Sequence, residues 1–463
     1  MPALFVSPLV TEQKGIAMDS SVKNRGVRVT LAGLGINLAL GILYTWSVIK
    51  GGIPADWKWS DFEQTLPYST AVLVFSLMMV PAGRLQDRFG PRLVATIGGL
   101  LVGLGMILAS AAESSLVLPW MEWISVHLAS GAKPTAVAYF LGFGLLAGTG
   151  IGFGYAAATP PAVKWFPPAK TGLIAGLVVS GFGLASVYAA PLATKLIEVY
   201  QLQQTMLILG VAFLIVVVGL AQLLVAPPKG FVPTASNSGV KKTATLVVQR
   251  EDFRPTEMLA TRQFYLCWLL YAIGAGAGLM IISQLGKNIA TQVGLSPLKQ
   301  GFWLVAACGV GNGAGRILAG MLSDRLGRRA TLQGCFAIQA VVMLALSVAL
   351  PNTSTGSFAS MLVLSALVGA NYGANLAIFP SITKDYYGLK NFGVNYGLLF
   401  TAWGFGGFLL AQAASKIKDQ VGELTYNYYG AAALLLLAVG VAFALKPPHA
   451  VQDTATRTAE GLA

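Results

Sequence analysis

The chain has 463 residues, of which 55% are hydrophobic and 11% charged, and it carries 54 glycines. That balance excludes an ordinary water-soluble domain. A net charge of +13 would suggest a nucleic-acid surface in a soluble protein; in a membrane protein it reads as an excess of base on the inner face, in contact with anionic lipid headgroups. The expected class is an all-α membrane protein.

Apolar runs long enough to cross about 30 Å of hydrocarbon as helices begin near Arg28, Leu66, Leu93, Ala136, Thr171, Thr205, Phe264, Gly301, Thr331, Phe358, Gly393 and Tyr426. They predict twelve transmembrane spans. Residues 1–27 read as a cytoplasmic tail, 28–225 as a first six-helix bundle, 226–263 as a cytoplasmic linker, 264–445 as a second six-helix bundle and 446–463 as a second cytoplasmic tail. The first span is too long and too rich in Gly, Tyr and Trp for a cleaved signal, so it is kept as structure. The linker is marked by Pro227, Pro228, Pro233, Ser236, Asn237, Ser238 and Gly239.

With both termini placed in the cytoplasm of a cell's inner (plasma) membrane, 22 of the 31 Lys and Arg fall on the cytoplasmic side and eight outside, among them Lys50, Lys287 and Lys418. This satisfies the positive-inside rule. The outer segment from Glu113 to Pro134, with Trp120, Trp123 and His127, reads as an interfacial amphipathic turn, with sensing or partner binding as the other reading. Cys267, Cys308 and Cys335 lie in apolar spans and are odd in number, so neither a disulfide framework nor a metal site is expected. No residue set points to covalent chemistry or a cofactor.

The remaining basic residue is Arg316, inside the apolar stretch Phe302 to Met321. A guanidinium at membrane depth costs at least about 2.5 kcal/mol and does not escape by deprotonating. All 18 Asp and Glu fall in loops, tails or segment ends, so no buried carboxylate is expected to pair with it. The missing anion is then the substrate. The competing reading is a snorkelling residue that anchors the turn beginning at Gly320; counting eight residues back from Asp324 puts Arg316 about 12 Å into the membrane. Asn312, one turn away, reads equally as a substrate contact or as a helix–helix hydrogen bond.

The two halves carry one signature twice. Gly83-Arg84-Leu85-Gln86-Asp87-Arg88-Phe89-Gly90-Pro91-Arg92 follows span 2, and Gly320-Met321-Leu322-Ser323-Asp324-Arg325-Leu326-Gly327-Arg328-Arg329 follows span 8, offset by 237 residues. Each predicts a tight charged turn in which glycine permits positive φ. Asp87, Arg88, Asp324 and Arg325 are candidates for a latch that holds the halves in one conformation. Glycine runs at Gly142 to Gly154, Gly404 to Gly407 and Gly309 to Gly315 read as close helix packing and bending rather than phosphate loops.

This repeated motif resembles the major facilitator superfamily across all twelve spans. Further segments are similar to its oxalate:formate antiporter family, whose bacterial members include lactate and pyruvate transporters: Gly41-Ile42-Leu43-Tyr44-Thr45-Trp46-Ser47, Lys164-Trp165-Phe166-Pro167, Asp252-Phe253 through Gln263-Phe264-Tyr265, Ile378-Phe379-Pro380-Ser381 and Asn395-Tyr396-Gly397. The resemblance implies two bundles rocking about a midplane site, with Arg316 on the substrate carboxylate and Tyr155 reaching the substrate by its hydroxyl. It also implies Leu43, Tyr44, Phe182, Tyr372, Leu376 and Phe400 as cavity positions.

Two departures shape the expected activity. Where oxalate antiporters of this resemblance carry a second cation, a lysine, this chain has Trp403; one cation balances one carboxylate, and a dianion would leave a charge unpaired in a low dielectric. Where animal monocarboxylate transporters carry an aspartate, this chain has Asn312, so the proton is expected to travel on the substrate carboxylate. The resulting expectation is a proton-coupled symporter of a short monocarboxylate such as L-lactate or pyruvate, working as a monomer. The alternatives are a small-carboxylate exchanger and a non-transporting membrane sensor.

Overall fold

The computed structural model describes residues 24–128, 131–167, 170–228, 231, 252–349, 358–388 and 390–448. Most of the two tails and of the linker, and the connection between spans 9 and 10, lie outside the described residues. Within hydrocarbon every backbone amide needs an internal partner, and the apolar runs accordingly fold as helices. Span 1 is Gly26–Gly52, span 2 Asp61–Phe89, span 3 Pro91–Ser110 and span 4 Pro134–Val163. Spans 5 and 6 share the continuous segment Gly172–Ala221. Span 7 is Arg262–Gln292, span 8 Pro297–Leu326, span 9 Arg328–Val348, span 10 Phe358–Tyr387, span 11 Phe392–Val421 and span 12 Thr425–Ala442.

The 50 residues of Gly172–Ala221 would measure about 75 Å as one straight helix, more than twice the hydrocarbon thickness. The chain instead breaks at Gln201, whose φ of 61° and ψ of 177° leave the helical region. This resolves eleven helical segments into the twelve expected spans. The repeated motif also repeats in backbone conformation: Gly90 and Gly327, 237 residues apart, have φ of 86° and 87°. A side chain there would be strained.

Span 1 tightens into a 3₁₀ turn at Gly41–Thr45, which carries Leu43 and Tyr44. Span 7 widens into a π turn at Leu285–Ile289. Both irregularities lie where the halves meet, as irregular turns at functional hinges often do. The segment between spans 3 and 4 forms the helix Leu118–His127, with Trp120 and Trp123 exposed and Trp123 stacked on His127.

Two of the family-like segments are built into the same turn. Asn395 Nδ2 and Asn391 Nδ2 both donate to the Phe253 carbonyl, at 3.1 and 3.0 Å, and the Phe253 amide donates to Tyr387 O at 3.1 Å. The stretch of chain entering span 7 is thereby pinned to the turn between spans 10 and 11. In the first half, Trp165 is buried and its indole donates to Val225 O at 2.7 Å.

The halves meet along spans 2 with 11 and 5 with 8. At the face opposite the two motif turns, here the far face, a polar zipper joins them. Asp419 accepts from the amides of Asp61 and Phe62 at 2.7 and 2.9 Å, Ser415 donates to Thr65 at 2.7 Å and Gln412 donates to Ser69 at 2.6 Å. The spacing of about four residues on each helix brings successive pairs to one face. Near the motif turns the contact ends: Asp87, Arg88, Asp324 and Arg325 are all exposed. Asp324 pairs with Arg328 at 2.6 Å, and Arg328 also binds Asp385 at 2.9 Å, all within the second half. In this conformation none of the four latch candidates bridges the halves among the described residues; the far face is the closed one.

Candidate functional site

Span 8 can bring Arg316 to the centre because it packs tightly on span 10. A Cβ at Gly311 or Gly315 would overlap the carbonyls of Ala366 or Ala370, and one at Gly369 or Gly373 would overlap those of Cys308 or Asn312. Small residues let the two backbones touch, which turns the Asn312–Arg316 face toward the first half. There it meets Gly183, where a Cβ would lie 3.4 Å from Arg316 Nη2 and from the Asn312 side chain. Phe182, the neighbour of Gly183, is buried among the aromatic residues.

Arg316 Nε donates to Asn312 Oδ1 at 3.0 Å, and Nη1 donates to the Val179 carbonyl of span 5 at 3.2 Å. Both acceptors are uncharged. No ion pair among the described residues involves Arg316, so none of them neutralises its charge. Of the two readings of Asn312, the structure adds a third component: it orients the guanidinium along its own helix.

The arginine faces an aromatic box drawn from both halves. Tyr155 lies 5.4 Å from Phe182 and 6.4 Å from Phe400, ring centre to ring centre, and the charge of Arg316 bears on the phenols of Tyr155 and Tyr44. Tyr44 meets Phe182 edge-on at 5.0 Å. Its hydroxyl is 2.6 Å from the Tyr372 hydroxyl, across the interface between the halves. Trp403 stacks on Phe400 at 5.0 Å and donates its indole N–H to Tyr372 at 2.8 Å. Leu43 is fully buried on the same 3₁₀ turn as Tyr44, and Leu376 is half-buried one turn from Tyr372.

The position named from the lysine departure is therefore inside the box, filled by an apolar ring with one donor. Sequence reasoning missed Phe75 of span 2, as well as Tyr271 and Tyr396. Phe75 is buried and touches Tyr155 at 5.2 Å, Phe182 at 5.7 Å, Phe400 at 5.6 Å and Trp403 at 5.1 Å. Tyr271 and Tyr396 close the second-half side, at 6.2 and 5.6 Å from Phe400. In a span that is apolar all round, Phe75 carried no periodic signal to set it apart.

Burial increases from Arg316 toward the far face. Arg316 and Leu376 are half-buried, whereas Asn312 and Tyr372, one turn nearer the far face on the same two helices, are buried. Beyond Tyr44, a cavity bounded by Tyr44, Ser186, Cys308 and Asn312 measures about 10 Å³, room for about one water.

One expectation about charge is corrected. Asp61, counted at a segment end, is buried, and so is Lys50, counted as an outer lysine; they pair at 2.8 Å with exposures of 8% and 0%. A buried carboxylate thus exists, at the far end of span 2, but its counter-ions are lysines and not Arg316.

Comparison with known proteins agrees with this architecture. The chain is 29% identical over 368 residues to the uncharacterized MFS-type transporter YhjX of Escherichia coli strain K12, covering 80% of this chain and 82% of that one. It is 26% identical over 400 residues to the oxalate:formate antiporter of Oxalobacter formigenes, covering 85% and 86%. It is 25% identical over 366 residues to rat monocarboxylate transporter 13, covering 79% and 75%. In three dimensions it resembles a bacterial homologue of the human lysosomal transporter Spinster, with a TM-score of 0.65 at 16% identity over 92% of this chain and 97% of that one. Residues 29–411 and 279–461 match the Major Facilitator Superfamily, and the chain belongs to that family.

Proposed function

We propose that this transporter carries a short monocarboxylate, such as L-lactate or pyruvate, together with a proton, in a plasma membrane with the motif face cytoplasmic. The observation that carries the reading is Arg316: a guanidinium deep in an apolar span whose partners among the described residues, Asn312 Oδ1, Val179 O and the Tyr155 phenol, are all neutral. An uncompensated charge at that depth is costly unless a ligand completes it. A carboxylate is the geometric match for the guanidinium fork.

The rest of the box supports a small, singly charged acid. Phe75, Phe182 and Phe400 provide apolar contact for an alkyl group, and Tyr155 offers a hydroxyl for a keto or hydroxy oxygen. Trp403 supplies bulk and one hydrogen-bond donor, already used by Tyr372, and no second cation. Protonation of the bound carboxylate removes its pull on Arg316 and lets substrate and proton leave together. The names of the oxalate:formate and monocarboxylate relatives support a carboxylate substrate.

The test is uptake of labelled L-lactate by proteoliposomes under an inward proton gradient, comparing wild type with Arg316→Gln. Gradient-driven uptake that disappears in the variant is the expected result. Uptake that responds to carboxylate loaded on the opposite side but ignores the pH gradient identifies an exchanger instead.

A further inference from the structure

Among the described residues, Asp61 is the only buried acidic side chain and Lys50 the only buried basic one. They sit at the far face, where four helices converge. Asp61 Oδ1 takes Lys50 Nζ of span 1 at 2.8 Å, Asn288 Nδ2 of span 7 at 2.7 Å and Lys418 Nζ of span 11 at 3.5 Å. Lys50 also donates to Thr65 at 2.9 Å and to Gln284 at 3.2 Å. Lys287 of span 7 donates to the Lys50 carbonyl at 3.3 Å and to Gln64 at 2.8 Å. One carboxylate oxygen therefore ties two helices of the first half to two of the second.

The other oxygen is different. Asp61 Oδ2 is buried and has no hydrogen-bond partner. A buried carboxylate oxygen left unmatched is a costly arrangement, and it offers a place for a proton with no bond to break. The charged groups facing Asp61 are Lys50, Lys287, Lys418 and Asp419: three cations, with Asp419 already engaged by the amides of Asp61 and Phe62. Lys50 of the first half and Lys418 of the second both pair with the charge on Asp61.

We propose that Asp61 is a proton-operated catch for the far face. A proton from the far-side solution forms an O–H bond on Oδ2 and cancels the carboxylate charge. Lys50, Lys287 and Lys418 keep their protons, so they repel one another and the two halves separate. When the face recloses, the proton returns to the same solution. The catch thus sets how often the site is presented to the far side, and its opened mouth carries the excess positive charge that draws a carboxylate anion. Only this last consequence rests on the monocarboxylate reading; the catch itself does not, and the transported proton remains the one on the substrate.

The experiment needs no substrate. Spin labels are placed at Asp56→Cys and Glu423→Cys, exposed far-face positions in opposite halves, in a background with Cys267, Cys308 and Cys335 replaced by serine. Distances between them are measured in reconstituted protein between about pH 7 and about pH 2, which brackets the ordinary carboxylate value near 4. In the wild type the population at long distance is expected to rise as the pH falls, by up to about tenfold per unit for one proton. Asp61→Asn is expected to be open at neutral pH and to lose the response. Lys418→Gln, which keeps Asp61 and removes one facing cation, is expected to open at higher pH than the wild type, and it carries the test if Asp61→Asn does not fold. A wild-type distance independent of pH, or a response that persists in Asp61→Asn, overturns the proposal while leaving lactate uptake to be judged separately.

Discussion

Arg316 and Asn312 stand one helical turn apart on span 8, and the arginine Nε donates to the asparagine Oδ1 at 3.0 Å. With Nη1 on the Val179 carbonyl, two sides of the guanidinium are fixed and Nη2 lies against Gly183. Among the described residues the cation is oriented without being neutralised. Catalysts and carriers alike gain from such preorganisation, since the group is already aimed before the ligand arrives.

Arg316→Lys keeps the charge but loses the fork. A lysine has no planar pair of donors to hold both Asn312 and Val179 while receiving a carboxylate. Loss of a charge-assisted hydrogen bond of about 1.5–3 kcal/mol corresponds to roughly ten- to hundredfold weaker binding. Substrate titration of the purified variant checks this; wild-type affinity would show that only the charge matters.

Asn312 separates orientation from charge. Asn312→Ala removes one neutral acceptor and is expected to weaken binding by a few-fold, in line with a net hydrogen bond of about 0.5–1.5 kcal/mol. Asn312→Asp places a carboxylate on the guanidinium and occupies the role assigned to the substrate. A loss of about tenfold or more is expected, larger than for alanine. Equal affinities for the two variants would argue against an anion bound at Arg316.

Trp403→Lys inserts a second cation beside Phe400 and Phe75, the rings that Trp403 contacts at 5.0 and 5.1 Å. Preference is expected to shift from lactate toward dicarboxylates, because a second carboxylate then finds a partner in the low-dielectric box. Trp403→Phe is the companion variant: it keeps an aromatic ring, loses the bond to Tyr372 and should leave the charge preference unchanged. A substrate profile identical in wild type and Trp403→Lys, in correctly inserted protein, removes the one-cation argument.

Gly315→Ala tests the packing that presents the arginine. Its Cβ would overlap the Ala370 carbonyl, so spans 8 and 10 have to part, at a cost of about 1–3 kcal/mol. Gly320 lies on the same helix, where a Cβ would meet nothing within 4 Å, and alanine there is expected to be neutral or slightly stabilising. Thermal unfolding in detergent compares the two. A Gly315→Ala protein as stable as Gly320→Ala would mean that the helices adjust without strain.

Length and apolar content determined that the chain spans a membrane, and how many times, because those properties are local: a helix must close its own backbone hydrogen bonds in lipid. The repeated motif marked two related halves, and the matched glycine turns at Gly90 and Gly327 follow from the positive φ that both copies require. Arg316 was legible as the odd charge in an apolar span. Its surroundings were not. Tyr44 and Tyr372 are separated by 328 residues yet share a hydrogen bond, Phe75 touches four box residues from a featureless apolar helix, and Lys50 and Asp61 appear as ordinary end-of-segment charges until four helices bury them. In a membrane span the lipid-facing and protein-facing sides are equally apolar, so hydrophobic periodicity does not reveal which side is buried. Close packing of small residues and long-range polar pairs decide it, and those exist only once the helices have come together.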